Sequence, residues 1–304
     1  MMSRDYNNII QLINSQKDNF PLDQLFYVDK SIYELDLETF FYNQWIFVGH
    51  QSRIPNKGDY FIFSIGNESI IIIRESESQI NCFYNVCRHR GSQICLETEG
   101  NSKKLVCPYH AWTYNLDGKL KNARMMYEDF DKKKWSLIKC NSKVFQGLIF
   151  LNFSNQPDDF NEFIKPLTPF IELHGLKNAK IATKKVYPTN GNWKLTLDNF
   201  HECYHCLPSH PEYCQVHSKE YIQAYGAGNN TGPESKVFNK KLDEWNNKTK
   251  ELGYLTGEFS EINFSNFFRS AERTPFDDNR LSETKSGKPV STLMGNFKNF
   301  DGGY

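Results

Sequence analysis

The sequence carries no excess charge of either sign: 36 Lys plus Arg balance 36 Asp plus Glu in 304 residues. Sequence-independent binding to nucleic acid or to an anionic membrane needs a bulk positive field, so neither is expected. Runs of like charge long enough to form an interaction tail are also missing. So are long apolar stretches: the longest aliphatic run is Ile70 to Ile73 and the mean hydropathy is -0.63, which excludes a transmembrane helix. The start, MMSRDYNNIIQLINSQ, lacks the apolar core and small residues of a secretory signal. Cysteine is scarce, with eight residues, far below the density of a disulfide scaffold. The expectation is a soluble, cytoplasmic chain of two domains or one elaborated one, using cysteine for metal ligation in a reducing compartment.

What is present falls into three textures. Residues 1–45 carry spaced apolar positions (Ile9, Ile10, Leu12, Ile13, then Leu35, Leu37, Phe40, Phe41, Trp45) that predict short helices around a break at Pro21. Residues 46–150 read as a small antiparallel β domain. Its clearest signal is Phe61–Ile65 and Ile70–Ile73 flanking Gly66-Asn67-Glu68, a hairpin pattern. Further short strands are expected at Cys82–Val86, Leu105-Val106, Trp112–Tyr114 before a turn at Asp117-Gly118, and Val144–Phe153. From residue 151 the elements lengthen: a strand at Ile181–Tyr187, a turn at Pro188–Gly191, a helix at Trp193–Tyr204, a loop over 225–235 and a surface helix at Val237–Leu252. No internal repeat is found.

Two clusters of metal-ligating types stand out. CRHRGSQIC and CPYHAWTY give Cys87-x-His89, seventeen residues, then Cys107-x-x-His110. Each half follows a short strand and so forms the tip of a β-loop. Two such loops can hold a 2Fe-2S cluster with both thiolates on one iron and both imidazoles on the other, which raises the potential relative to an all-Cys cluster. A four-ligand structural zinc is the alternative, although zinc knuckles more often use Cys-x-x-Cys. CRHRG with CPYHAWTY resembles the Rieske iron-sulfur motif, with Ala111 where that family usually has Gly. Cys82 and Cys95 lie outside the pattern and read as core residues.

The second cluster is NWKLTLDNFHECYHCLPSHPEY, residues 192–213. His201-Glu202-x-x-His205 formally matches the zincin signature of two helix-face histidines with a Glu base. Alternatively, Glu202 and His205, three apart, share a helix face, and the helix ends or kinks near Pro208 so that His210 swings back beside His205. Two His plus a carboxylate with open positions is the facial triad of non-haem Fe(II) oxygenases. Beside the first cluster, iron is the preferred reading, leaving His201 either behind the ligands or as a packing histidine. Asp198, one turn before Glu202, either orients a His ligand or is a solvated face residue.

Nearly all of the chain, from LFYVDKSIYELDLETFF through SGKPVSTLMGNFKNFDGG, is similar to the large (alpha) subunit of Rieske non-haem iron oxygenases, and most to the branch acting on glycine betaine, proline betaine and carnitine. The resemblance implies an α+β fold: an N-terminal helical segment (1–45) packing with the catalytic domain, an antiparallel β Rieske domain (46–150) and a catalytic domain (151–304) with an antiparallel sheet flanked by helices. It implies His205 and His210 as mononuclear iron ligands and Glu202 as the bridge for electrons. It also implies a flavin/iron-sulfur reductase drawing on NAD(P)H, O2 as co-substrate, and a homotrimer in which each cluster serves the neighbour's iron. The expected reaction is hydroxylation of an N-methyl group, giving formaldehyde and the demethylated amine. Ring hydroxylation or O-demethylation of an aromatic acid is the runner-up. The third iron ligand of the family, an Asp, lies beyond the DGG stretch where this sequence stops, so the chain reads as C-terminally truncated. Asp277, Asp278 and Asp301 receive no assignment, and an electron-transfer-only or inactive fragment is the reading from another class.

Overall fold

Four consecutive isoleucines cannot alternate wet and dry positions, so a strand built from them must be covered on both faces. The computed structural model, which describes residues 6–18, 20–201, 205–217, 233–254, 257–263, 267–273, 275–277 and 279–302, places them in such a strand. The chain divides into two units, one of residues 37–163 with 176–185, the other of residues 1–36, 164–175 and 186–304.

In the first unit, β1 (Ile46–His50), β2 (Asp59–Ile65), β3 (Glu68–Arg74), β4 (Ile80–Tyr84), β5 (Glu99–Asn101), β6 (Leu105–Val106), β7 (Thr113–Tyr114), β8 (Leu120–Asn122), β9 (Asn141–Phe145) and β10 (Leu148–Asn152) form three antiparallel sheets. Their orders are β4-β3-β2-β5, β1-β10-β9 and β6-β7-β8. Strand β3 is the partition between two cores. Ile70 and Ile72 join Phe61, Cys82, Cys140, Ile149 and Leu151, whereas Ile71 and Ile73 join Phe83, Leu105, Trp112, Tyr114 and the two motif cysteines. All four isoleucines are completely buried. At about 1.5–3 kcal/mol for each buried aliphatic side chain, this strand is a main source of the unit's cohesion. The β2–β3 hairpin closes through Gly66-Asn67, with Ile65 opposite Glu68. Gly66 has φ +56, and a Cβ there would stand 2.8 Å from Leu37 Cδ1, so both conformation and space require glycine.

The second unit holds α1 (Tyr6–Asn14), α2 (Leu25–Val28), α3 (Lys30–Asp36), α5 (Thr168–Leu173), which follows the short α4 (Phe160–Ile164) that spans the division, α6 (Trp193–His201), α7 (Cys206–Ser209), α8 (Pro211–Cys214) and α9 (Pro233–Glu251). It also holds the antiparallel pair β11 (Gly257–Asn263) and β12 (Phe267–Arg273). On α9, Phe238, Trp245 and Thr249 are buried along one face, as their spacing near multiples of a turn directs. Arg273 is buried against Asp301 in an ion pair and sits 5.3–5.4 Å from the rings of Trp245, Tyr254 and Phe297. Among the described residues no helix is long and apolar enough to cross a membrane.

Two sequence expectations shift. Val144–Phe153 is two strands, because Gln146 and Gly147 take φ of +48 and +81 and turn the chain into the β9–β10 hairpin. Gln is an unusual residue for such a turn, so the pattern read as continuous. Ile181–Tyr187 is extended but in no sheet, with Val186 and Tyr187 71% and 77% exposed. Strand propensity expresses packing on a neighbour, and no described strand lies beside this segment. The expected Trp193–Tyr204 helix is described over Trp193–His201, and its last three residues lie outside the described residues. The β11–β12 hairpin was not anticipated segment by segment, and most of the expected 225–235 loop lies outside the described residues.

Ile72→Ala would leave a void in a fully buried site and should cost about 2–5 kcal/mol. Urea denaturation should show a lower midpoint with unchanged slope.

Candidate metal centres

The first loop leaves β4 at Tyr84 and the second lies between β6 and β7. Both close in the same way. Cys87 N–H donates to Ser92 O (2.8 Å) and Gly91 N–H to Cys87 O (3.0 Å), while Cys107 N–H donates to Trp112 O (2.8 Å) and Ala111 N–H to Cys107 O (3.0 Å). Each cysteine is thus bonded to the residues four and five places on. The residue four places on is left-handed in both loops, Gly91 at φ +74 and Ala111 at φ +57. The alanine departs from the family pattern at the one place where its methyl is strained, at a cost of about 1 kcal/mol.

Asn85, 1% exposed, locks the first loop from beneath. Its Oδ1 accepts the Ile94 and Cys95 amides at 3.0 and 2.9 Å, and its Nδ2 donates to Cys95 O at 2.8 Å. Sequence reading missed it, although an Asn two residues before a loop-tip Cys is a signal for such side-chain closure.

The four donors form two pairs. Cys87 and Cys107 are both 2% exposed and their thiols lie against each other. His89 is half-buried and His110 exposed, with rings 4.6 Å apart at 79°. The His89 ring stacks on buried Trp112 at 4.8 Å and 13°. Burial pushes the Cys87 thiol up, opposed by hydrogen bonds from the Tyr114 hydroxyl and the His89 amide. Burial, then the charges of His110 and Arg90, pull His89 down, favouring the neutral imidazole a metal needs. Tyr114, fully buried, accepts the Arg88 amide (3.1 Å), and its own hydroxyl lies 3.4 Å from Cys87 Sγ. Burial holds that phenol far above its ordinary range, so it stays protonated and donates to the sulfur. A buried thiol pair and an outward imidazole pair fit a two-iron cluster with unlike ligands on its two irons. Cys82 is buried in the other core and Cys95 is partly buried against this one, their thiols pushed up to about 12 and about 11 by burial.

His205 and His210 are brought together with ring centroids 5.3 Å apart at 81°. The turn differs from the expected one. Pro208 lies within α7, whose short length leaves its missing N–H without consequence, and the chain breaks at His210 (φ −131, ψ 62) before Pro211. A residue preceding proline is driven out of the helical region, so Pro211 rather than Pro208 turns the His210 ring back. Cys206 anchors the segment by packing on Phe238 of α9. Glu202 lies outside the described residues, as does the His201 side chain. Asp198 accepts the Tyr27 hydroxyl at 2.6 Å. Asp277 and Asp301 are engaged by Lys241 and Arg273, and Asp278 lies outside the described residues.

Comparisons with known proteins follow the same division. Residues 44–137 match the Rieske [2Fe-2S] domain and residues 176–273 match the ring hydroxylating alpha subunit (catalytic domain). The chain is 35% identical over 297 residues to the glycine betaine monooxygenase oxygenase subunit of Pseudomonas aeruginosa (strain UCBPP-PA14), covering 95% of this chain and 66% of that one. It is 37% identical over 196 residues to the carnitine monooxygenase oxygenase subunit of Escherichia coli (strain K12), covering 62% and 51%. Among solved structures, the quaternary ammonium Rieske monooxygenase CntA in complex with substrate L-carnitine matches with TM-score 0.57 and 35% identity over 64% of this chain and 57% of that one. The chain therefore spans about two thirds of the length of the glycine betaine relatives and about half that of the carnitine relatives.

Tyr114→Phe removes the donor to Cys87 Sγ. A hydrogen bond to a cluster sulfur favours the more negative, reduced state, so the midpoint potential should fall by tens of millivolts with the cluster retained. An unchanged potential in a redox titration would show that Tyr114 spends its proton elsewhere.

Proposed function

This chain belongs to the alpha subunits of Rieske non-haem iron oxygenases, and from that premise we propose that it hydroxylates an N-methyl group of a small quaternary ammonium compound such as glycine betaine. The two matched domains imply a Rieske 2Fe-2S cluster and a mononuclear iron. In the proposed assignment Cys87 and Cys107 hold one cluster iron, His89 and His110 the other, and His205 and His210 the mononuclear iron. The observation that carries the reading is the paired histidines at 5.3 Å in a chain 35% identical to glycine betaine monooxygenase subunits.

When bound, the cluster supplies single electrons and the mononuclear iron the activation of O2. The chain's own residues do the rest. The Tyr114 hydroxyl, itself held by the Arg88 amide, and the His89 amide hold negative charge at the buried thiolate end, while the imidazole end faces outward. His205 and His210 present their ring nitrogens from the two ends of α7, which leaves part of a coordination sphere open. Glu202, three residues before His205 in sequence, would serve as the carboxylate bridge for electrons arriving from a neighbouring subunit in a homotrimer. Electrons come from NAD(P)H through a separate reductase. One O2, one NAD(P)H and one proton convert the N-methyl to an N-hydroxymethyl group with release of water. That carbinolamine then breaks its C–N bond to give formaldehyde, the tertiary amine and a proton.

With a reductase supplied, glycine betaine should stimulate O2 consumption and release formaldehyde in equal amount, whereas benzoate should do neither. Stimulation by benzoate with no formaldehyde would transfer the chain to ring hydroxylation. His205→Ala and His210→Ala should each lower iron from about three to about two per chain with the cluster's electron paramagnetic resonance signal intact, while His201→Ala keeps all three. Loss of metal in His201→Ala but not in His210→Ala would point to the zincin arrangement instead.

A further inference from the structure

Helix α6 leads into the Glu202–His210 segment, yet apolar packing does little to hold it. None of its described side chains is buried, and Leu195 and Phe200 are 51% and 67% exposed. Its anchors are polar and come from residues 27–36, more than 150 positions away in sequence. Asn192 caps its start, accepting the Lys194 amide at 3.0 Å. Asp36 at the end of α3, 5% exposed, accepts the Trp193 indole N–H at 3.0 Å and pairs with the Lys194 ammonium. One turn further, the Tyr27 hydroxyl of α2 donates to the Asp198 carboxylate at 2.6 Å. Positions 194 and 198 are four apart and share a face. The next step of four along the sequence is Glu202, and three beyond that is His205.

We infer that Tyr27 and Asp36 are positioning residues of the mononuclear iron site, two tethers on one face of α6 that fix the direction from which the chain runs on to His205. The inference rests on the reading that His205 and His210 hold iron. Two tethers a turn apart hold both the tilt and the rotation of a helix, which one contact cannot. A hydrogen bond to an ionised carboxylate is also stronger than a neutral one, which suits a helix with so little apolar cover. Without the Tyr27 contact, α6 turns about the Asp36 end and the His205 ring loses its fixed direction. Changes one layer behind a ligand typically lower metal affinity 10–100-fold.

The test is anaerobic titration of cluster-loaded protein with Co(II), read from its visible absorption, for wild type, Tyr27→Phe, Asp198→Ala and the double variant. The Co(II) dissociation constant should rise about tenfold in each single variant. It should rise no further in the double variant, because both changes break the same contact. The cluster spectrum should not move. Unchanged Co(II) affinity, with or without a lower melting temperature, or additive losses in the double variant, would overturn the inference. Wild-type protein that binds no Co(II) would instead overturn the assignment of His205 and His210, and this inference with it. Asp36→Asn is the less useful variant, since it strands the Lys194 charge in a largely buried place and can unfold the region.

Discussion

The organisation of residues 37–163 depends on one constraint, a strand with no wet face. Because Ile70–Ile73 are buried on both sides, β3 must be the middle of a sandwich, and the elements that cover it have fixed places. The Ile70/Ile72 side takes the β1-β10-β9 sheet. The Ile71/Ile73 side takes the roots of the two motif loops, whose cysteines belong to that same core. The thiols are therefore buried by the same packing that stabilises the strand, and the histidines, two and three residues further on, emerge at the surface. Polarity between the two ends of the site follows from core packing, with no separate device.

The two sites are secured by different means. The Cys/His loops are closed by backbone hydrogen bonds and by a buried Asn on a β platform, a construction with little freedom left in it. The His205/His210 pair stands on two short helices joined at a pre-proline residue, with one aromatic anchor at Phe238 and polar contacts upstream in α6. A β-rooted loop keeps its shape through many short cooperative bonds. A pair of single-turn helices relies on what packs around it. Under the proposed assignment the difference suits the two roles, since a cluster must change charge with little movement, whereas a centre that admits substrate and O2 benefits from adjustable surroundings.

Much of this was legible in the sequence, for identifiable reasons. The β2–β3 hairpin, the loop-tip placement of Cys87, His89, Cys107 and His110, and the approach of His210 to His205 all rest on local rules of spacing and turn chemistry. What stayed hidden required a partner distant in sequence or a residue acting against its type. Gln146 at φ +48 turns a hairpin that no turn propensity announces. Ile181–Tyr187 has the composition of a strand but no described neighbour. Pro208 drew attention away from Pro211, two prolines three positions apart of which only the second limits the residue that matters. Asn85, Tyr114 and Tyr27 carry roles set by burial and by contacts that no periodicity reveals.

The Asn85 clamp shows what holds the first motif loop in shape. Its three bonds to Ile94 and Cys95, with the paired backbone closures at Cys87 and Cys107, run between protein atoms alone. Ordering a residue costs about 1–2 kcal/mol of conformational entropy, and in these loops that cost is met by the folding of the β core. Small zinc domains work in the opposite way, the ion itself gathering a disordered chain. The two loops are thus an extension of the β core, and a substitution that loosens β3 would reach the spacing of Cys87 and Cys107 without touching either loop.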